Sequence, residues 1–79
     1  MKSAKWIKRI KQGADQQSAN RLITHYFDEI YNYVYQRVNH EPTAMDVTQE
    51  VFVSMLQSLD NYQSEKSLFR TWLYNISKR

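Results

Sequence analysis

The chain has 79 residues with one Gly, one Pro and no Cys, which makes it one domain near the lower size at which a hydrophobic core holds a fold without disulfides or metals. So few turn-forming residues exclude a many-stranded sheet, and the composition points to an all-α fold, a compact bundle of about four helices. The net charge of +3 is unevenly spread: residues 1–11 carry +5, residues 12–65 carry −6 and residues 66–79 carry +4, a segregation that suits two different partners.

From Ser3 to about Gln12, Trp6, Ile7 and Ile10 fall at helical spacing among lysines, and Gly13 is placed to end the helix as a left-handed residue. Trp6 and Ile10 are expected to close the core. A basic amphipathic helix can also lie on an anionic membrane, but this apolar face is short for that role.

Asp15 is an expected N-cap for the second and longest helix, which runs to about Asn39. Its apolar stripe reads Ile23, Phe27, Ile30, Val34 and Val38, with Leu22 and Tyr26 on one shoulder and Tyr31 on the other. Arg21, His25, Asp28, Asn32 and Gln36 lie opposite. Tyr31, Tyr33 and Tyr35 point in different directions at helical spacing, so the three do not form one stacking platform; most read as shoulders of the core with hydrated hydroxyls.

Glu41-Pro42-Thr43 interrupts the pattern, and Thr43 is the expected cap of a third helix that reaches about Leu59, with Asp46 three residues on as in a capping box. The buried stripe is Ala44, Val47, Val51, Phe52, Met55 and Leu59. The other face groups Asp46, Gln49, Glu50, Val53 and Gln57. Asp46 is explained by the helix dipole alone, whose positive end favours first-turn acids by about 0.3–1 kcal/mol. Glu50 lies a turn further on, and an apolar Val53 among carboxylates and amides resembles the centre of a small protein interface.

Residues 60–66 are polar and turn-like, with Tyr62 their only aromatic. Ser67 is the expected cap of a last helix, with Phe69, Trp72, Leu73 and Ile76 inward, Leu68 at the margin, and Arg70, Thr71, Tyr74, Ser77 and Lys78 outward. A basic face holding an aromatic ring can follow a phosphate backbone while a base stacks beside it. The dipole of the helix accounts for Lys78 and Arg79 without any ligand, but it opposes a cation in the first turn, where Arg70 stands.

No nucleophile–base pair, metal cluster or phosphate-cradling Gly loop is present, so enzyme chemistry and cofactors are not expected. Two histidines, His25 and His40, are too few for a zinc site. No apolar run is long enough for a signal peptide or a membrane span, which gives a soluble, cytoplasmic expectation without membrane insertion.

The segments Asp46-Val47-Thr48-Gln49-Glu50-Val51-Phe52, Leu59-Asp60-Asn61-Tyr62 and Phe69-Arg70-Thr71-Trp72-Leu73-Tyr74-Asn75-Ile76, in this order and spacing, resemble region 2 of the extracytoplasmic-function (ECF) sigma factors of bacterial RNA polymerase, of the sigma-70 family. The resemblance covers nearly the whole chain. It implies a non-catalytic domain in which Asp46, Gln49, Glu50 and Val53 meet the clamp helices of the polymerase β′ subunit. Tyr62, Ser64, Glu65, Lys66, Arg70, Tyr74, Lys78 and Arg79 would meet the −10 promoter element as single-stranded non-template DNA.

It further implies a single region 2 domain over residues 1–79, without the helix-turn-helix region 4 that reads the −35 element. The chain departs from the family's frequent pattern between Tyr62 and Phe69, where Gln63 replaces a common Arg and Ser64 a common Gly in a loop that is longer than usual. A rival reading is a helical adaptor that binds only protein. A third has the same surfaces occluded by an anti-sigma regulator.

Overall fold

The long helix on which the others pack is α2 (Gln16–Val38), preceded by α1 (Lys2–Gly13) and followed by α3 (Glu41–Ser58), a 3₁₀ turn at Leu59–Asn61, and α4 (Phe69–Ser77). The computed structural model describes residues 2–13 and 15–78. Among these residues every regular element is helical, as the composition requires. α2 packs against α1 on one flank and α3 on the other, and α4 closes the bundle against α3 and α2.

The helix ends are set by local chemistry. Asp15 caps α2 as expected: its carboxylate accepts from the backbone N–H of Gln17 at 3.1 Å and of Ser18 at 3.3 Å, and from the Ser18 hydroxyl at 2.9 Å. At the other end Asn39 takes the left-handed conformation, φ 51°, and its N–H donates to Tyr35 O, the αL termination that Asn tolerates.

Three expected caps are different in the structure. Gly13 is the last residue of α1 and has no positive φ, so it ends the helix without the left-handed turn. α3 begins at Glu41, capped by His40, whose Nδ1 lies 3.4 Å from the Thr43 N–H and 2.8 Å from its hydroxyl. Pro42 falls in the first turn of that helix, where a missing N–H costs nothing. α4 begins after Leu68 with no side-chain cap; Ser67 instead offers its carbonyl to the Tyr62 hydroxyl at 2.9 Å.

The core contains Leu22, Tyr26, Ile30 and Val34 of α2, Ala44, Val51, Phe52 and Met55 of α3, Leu59, Tyr62, and Phe69, Leu73 and Ile76 of α4, with Ile7 from α1. The centre of the α2 stripe is therefore the expected shoulder of Leu22 and Tyr26, whereas Ile23 and Phe27 are half-buried and Val38 is exposed. With neighbours on both flanks, α2 buries a face rotated from the one that its aliphatic residues alone suggest. In α1, Ile7 is buried and Trp6 and Ile10 pack only partly. In α3, Thr48 is fully buried, its hydroxyl satisfied by Ala44 O at 2.7 Å, and Val47 is half-buried.

Two of the three tyrosines do share a face. Tyr35 stacks on Tyr31 at 6.1 Å, Tyr31 on Phe27 at 6.5 Å and Phe27 on Phe52 of α3 at 5.7 Å, since residues four apart lie one above another on a helix. Tyr33 turns away to meet Tyr74 edge-on at 5.0 Å. Its hydroxyl is buried with no hydrogen-bond partner among the described residues, not hydrated as expected.

Candidate functional site

Asp46, Gln49, Glu50 and Val53 stand at positions i, i+3, i+4 and i+7 of α3, and all four are exposed. No hydrogen bond or ion pair with another described side chain engages the three polar residues. Val53 is 53% exposed, and Leu56 and Met45, at 37% and 39%, lie on the same helix. What fixes this face is the opposite one: Thr48, Val51, Phe52 and Met55 are locked in the core, so the outer residues project from a rigid support.

The loop between the 3₁₀ turn and α4 is fastened at both ends. Tyr62 is only 5% exposed, with its ring against Phe69 at 5.5 Å and Trp72 at 5.2 Å; burial pushes its phenol above the ordinary value of 10.0. Its hydroxyl holds Ser67 O, and its own carbonyl accepts from Lys11 Nζ of α1 at 2.6 Å. Tyr62 thus supports the loop from beneath instead of presenting a free ring. Ser64, Glu65 and Lys66 are exposed on the loop, and the Lys66 N–H closes a turn onto Gln63 O at 3.0 Å.

On α4, Arg70 and Tyr74 converge on one carboxylate of α2. Arg70 Nε lies 3.0 Å from Glu29 Oε2, and the Tyr74 hydroxyl donates to the same oxygen at 2.9 Å. This explains how a cation is accommodated in a first helical turn. Burial and then the bond to Glu29 raise the Tyr74 phenol above 10.0. Lys78 is exposed, and Arg79 lies outside the described residues.

Sequence reasoning did not single out Glu29 or Lys11. Glu29 sits between the buried positions Tyr26 and Ile30 and one turn before Tyr33, a boundary position where a carboxylate meets whatever packs alongside; that much was readable, but its partner on α4 was not. Among the described residues no group of three His, Cys, Asp or Glu is arranged to hold a metal ion, and no helix is long and apolar enough to cross a membrane.

The exposed strip on α3, the fastened loop and α4 all fall within residues 22–79, which match the family model described as Sigma-70 region 2. The chain belongs to that family. The region 2 domain is 40% identical over 60 residues to the RNA polymerase sigma factor YlaC of Bacillus subtilis, a match covering 76% of this chain and 34% of that protein.

It is also 33% identical over 73 residues to the ECF RNA polymerase sigma factor SigW of the same organism, covering 92% of this chain and 38% of SigW. With the ECF RNA polymerase sigma factor BldN of Streptomyces coelicolor it shares 31% identity over 67 residues, 85% of this chain and 25% of BldN. The chain thus spans about a quarter to two fifths of the length of these relatives. No solved structure matches it. Region 2 is a transcription-initiation domain of sigma factors.

Proposed function

We propose that the domain docks on the clamp helices of the RNA polymerase β′ subunit through Asp46, Gln49, Glu50 and Val53, and captures the promoter −10 element as single-stranded non-template DNA. Ser64, Glu65, Lys66, Arg70, Tyr74 and Lys78 meet the strand, joined by Arg79 and supported by Tyr62. The observation that carries the reading is the strip on α3: three polar side chains without partners among the described residues surround a half-exposed valine on a helix whose other face is buried in the core. An interface centre has that composition.

The division of labour follows from magnitudes. A few phosphate contacts give weak, salt-sensitive binding, so useful DNA affinity needs the polymerase to supply further surface. Reading a base requires taking it out of the stack at a few kcal/mol, which aromatic contact of about 1–3 kcal/mol per base offsets in part.

The test is capture of polymerase core and of a β′ clamp-helix fragment by the chain. Glu50→Lys abolishes both with helicity unchanged; retained capture removes the docking claim. One observation favours the protein-only adaptor, namely that Glu29 already engages Arg70 and Tyr74. That reading requires Arg70→Ala to leave binding of single-stranded −10 DNA in the presence of core unchanged, whereas the proposal requires a loss.

A further inference from the structure

Tyr62 stands where the chain leaves the 3₁₀ turn in an extended conformation, φ −72° and ψ 131°. Its carbonyl therefore has no place in a helical ladder, and no backbone N–H among the described residues donates to it. A main-chain oxygen turned toward the protein needs a partner. Lys11, in the last turn of α1, supplies one at 2.6 Å, with its ammonium 5.7 Å from the centre of the Tyr62 ring. Among the described residues no other hydrogen bond joins α1 to a distant part of the chain. α1 itself is firmly seated: Ile7 and Ser3 are buried, and Trp6 meets His25 of α2 edge-on at 5.6 Å. The whole helix precedes residues 22–79, the segment that matches the family model.

We propose that Lys11 is a positioning residue for strand capture. It does not touch the strand; through the Tyr62 carbonyl it holds residues 63–66 where the strand meets them, which makes α1 a working part of the site. This rests on the single-strand reading given above. The negative end of the α1 dipole accounts for a cation in the last turn, but not for its aim at one carbonyl 51 positions away. The remaining hydrogen bonds of the loop, Tyr62 hydroxyl to Ser67 O and Lys66 N–H to Gln63 O, run within it. They fix its shape and leave its placement to the Tyr62 ring and to Lys11. When only a fraction of the molecules hold the binding arrangement, apparent affinity falls by that fraction.

The experiment uses the chain bound to polymerase core, and a fluorescent single strand selected by that complex from a pool of random sequence. Amide exchange of the chain alone is followed in parallel. Lys11→Met keeps the aliphatic stem and removes the donor. It is expected to weaken strand binding about fivefold, the worth of one hydrogen bond, and to speed exchange at residues 63–67 while α3 and the capture of core are unchanged. Lys11→Arg, which restores charge and donor, is expected to recover both. Lys8→Met removes the same charge from an exposed position one turn earlier on α1; it is expected to cost less than about twofold, the long-range share alone, with loop exchange unmoved.

A loss in Lys11→Met that Lys8→Met matches, or that comes with unchanged loop exchange, overturns the proposal and leaves the single-strand reading intact, because Lys11 then acts on the strand by its charge. Faster exchange in α3 as well as in the loop also overturns it, since Lys11 would then support the fold at large. Failure of the unmodified chain with core to select any strand overturns both readings.

Discussion

Glu29→Gln should strengthen binding of single-stranded DNA. In the free domain Glu29 holds Arg70 at 3.0 Å and Tyr74 at 2.9 Å, and so competes with any phosphate for the same guanidinium. A phosphate on the other edge of Arg70 stands roughly 6 Å from the Glu29 carboxylate, a repulsion of about 0.7 kcal/mol in water-like dielectric. Removing it is worth about threefold in Kd.

Stability should barely change, because the side chains of the pair are 60% and 35% exposed and surface pairs contribute about 0–1 kcal/mol. The Tyr74 hydroxyl still finds a carbonyl oxygen on Gln. Fluorescence anisotropy of a labelled −10 strand with polymerase core, repeated at rising salt, measures the effect. The gain should shrink as the Debye length falls from about 10 Å at 0.1 M. A weaker Glu29→Gln complex would refute the reasoning, because Glu29 would then be orienting Arg70 and Tyr74 for DNA instead of competing for them.

Gly13→Ala should leave stability unchanged or raise it by up to about 1 kcal/mol in urea denaturation, since Gly13 is helical without positive φ and a Cβ there meets nothing within 4 Å; a clear loss would restore the left-handed cap. Asp15→Asn keeps a cap acceptor but removes the charge. Hydrogen bonds from the Ser18 hydroxyl and backbone hold the Asp15 carboxyl below its ordinary 3.8. A folded-state value lowered in this way gives stability that is fully present above 3.8 and lost as pH falls through the folded value. The urea midpoint of the unmodified chain should therefore exceed that of Asp15→Asn at pH 7 and converge with it in acid.

The all-helical fold, the bounds of α2 and the exposed strip on α3 were legible in the sequence because each depends on local rules. Asp15 before a long apolar repeat, Asn39 after it, and Val53 among Asp46, Gln49 and Glu50 can be read without knowing what packs where. Thr43 and Ser67 were expected as caps because they are the usual residue types, and a histidine nitrogen, which sequence reading seldom counts as a cap, displaced the first. The rotation of the buried face of α2 toward Leu22 and Tyr26 depends on α1 and α3 flanking it together, which no single-helix pattern contains. The convergence of Arg70 and Tyr74 on Glu29, and the bond of Lys11 to Tyr62, join residues more than 40 positions apart in sequence, beyond the reach of any spacing argument.

The loop ahead of α4 is fastened through main-chain oxygens, those of Tyr62 and Ser67. Its shape is therefore independent of the four side chains between them, and of these only Ser64 and Glu65 touch each other, at a marginal 3.5 Å. Gln63, Ser64, Glu65 and Lys66 form a cassette that can be exchanged without disturbing the scaffold. Under the proposed single-strand reading, the bases that the loop accepts can be changed by rewriting four exposed positions while Lys11, Tyr62 and Ser67 keep the loop in place.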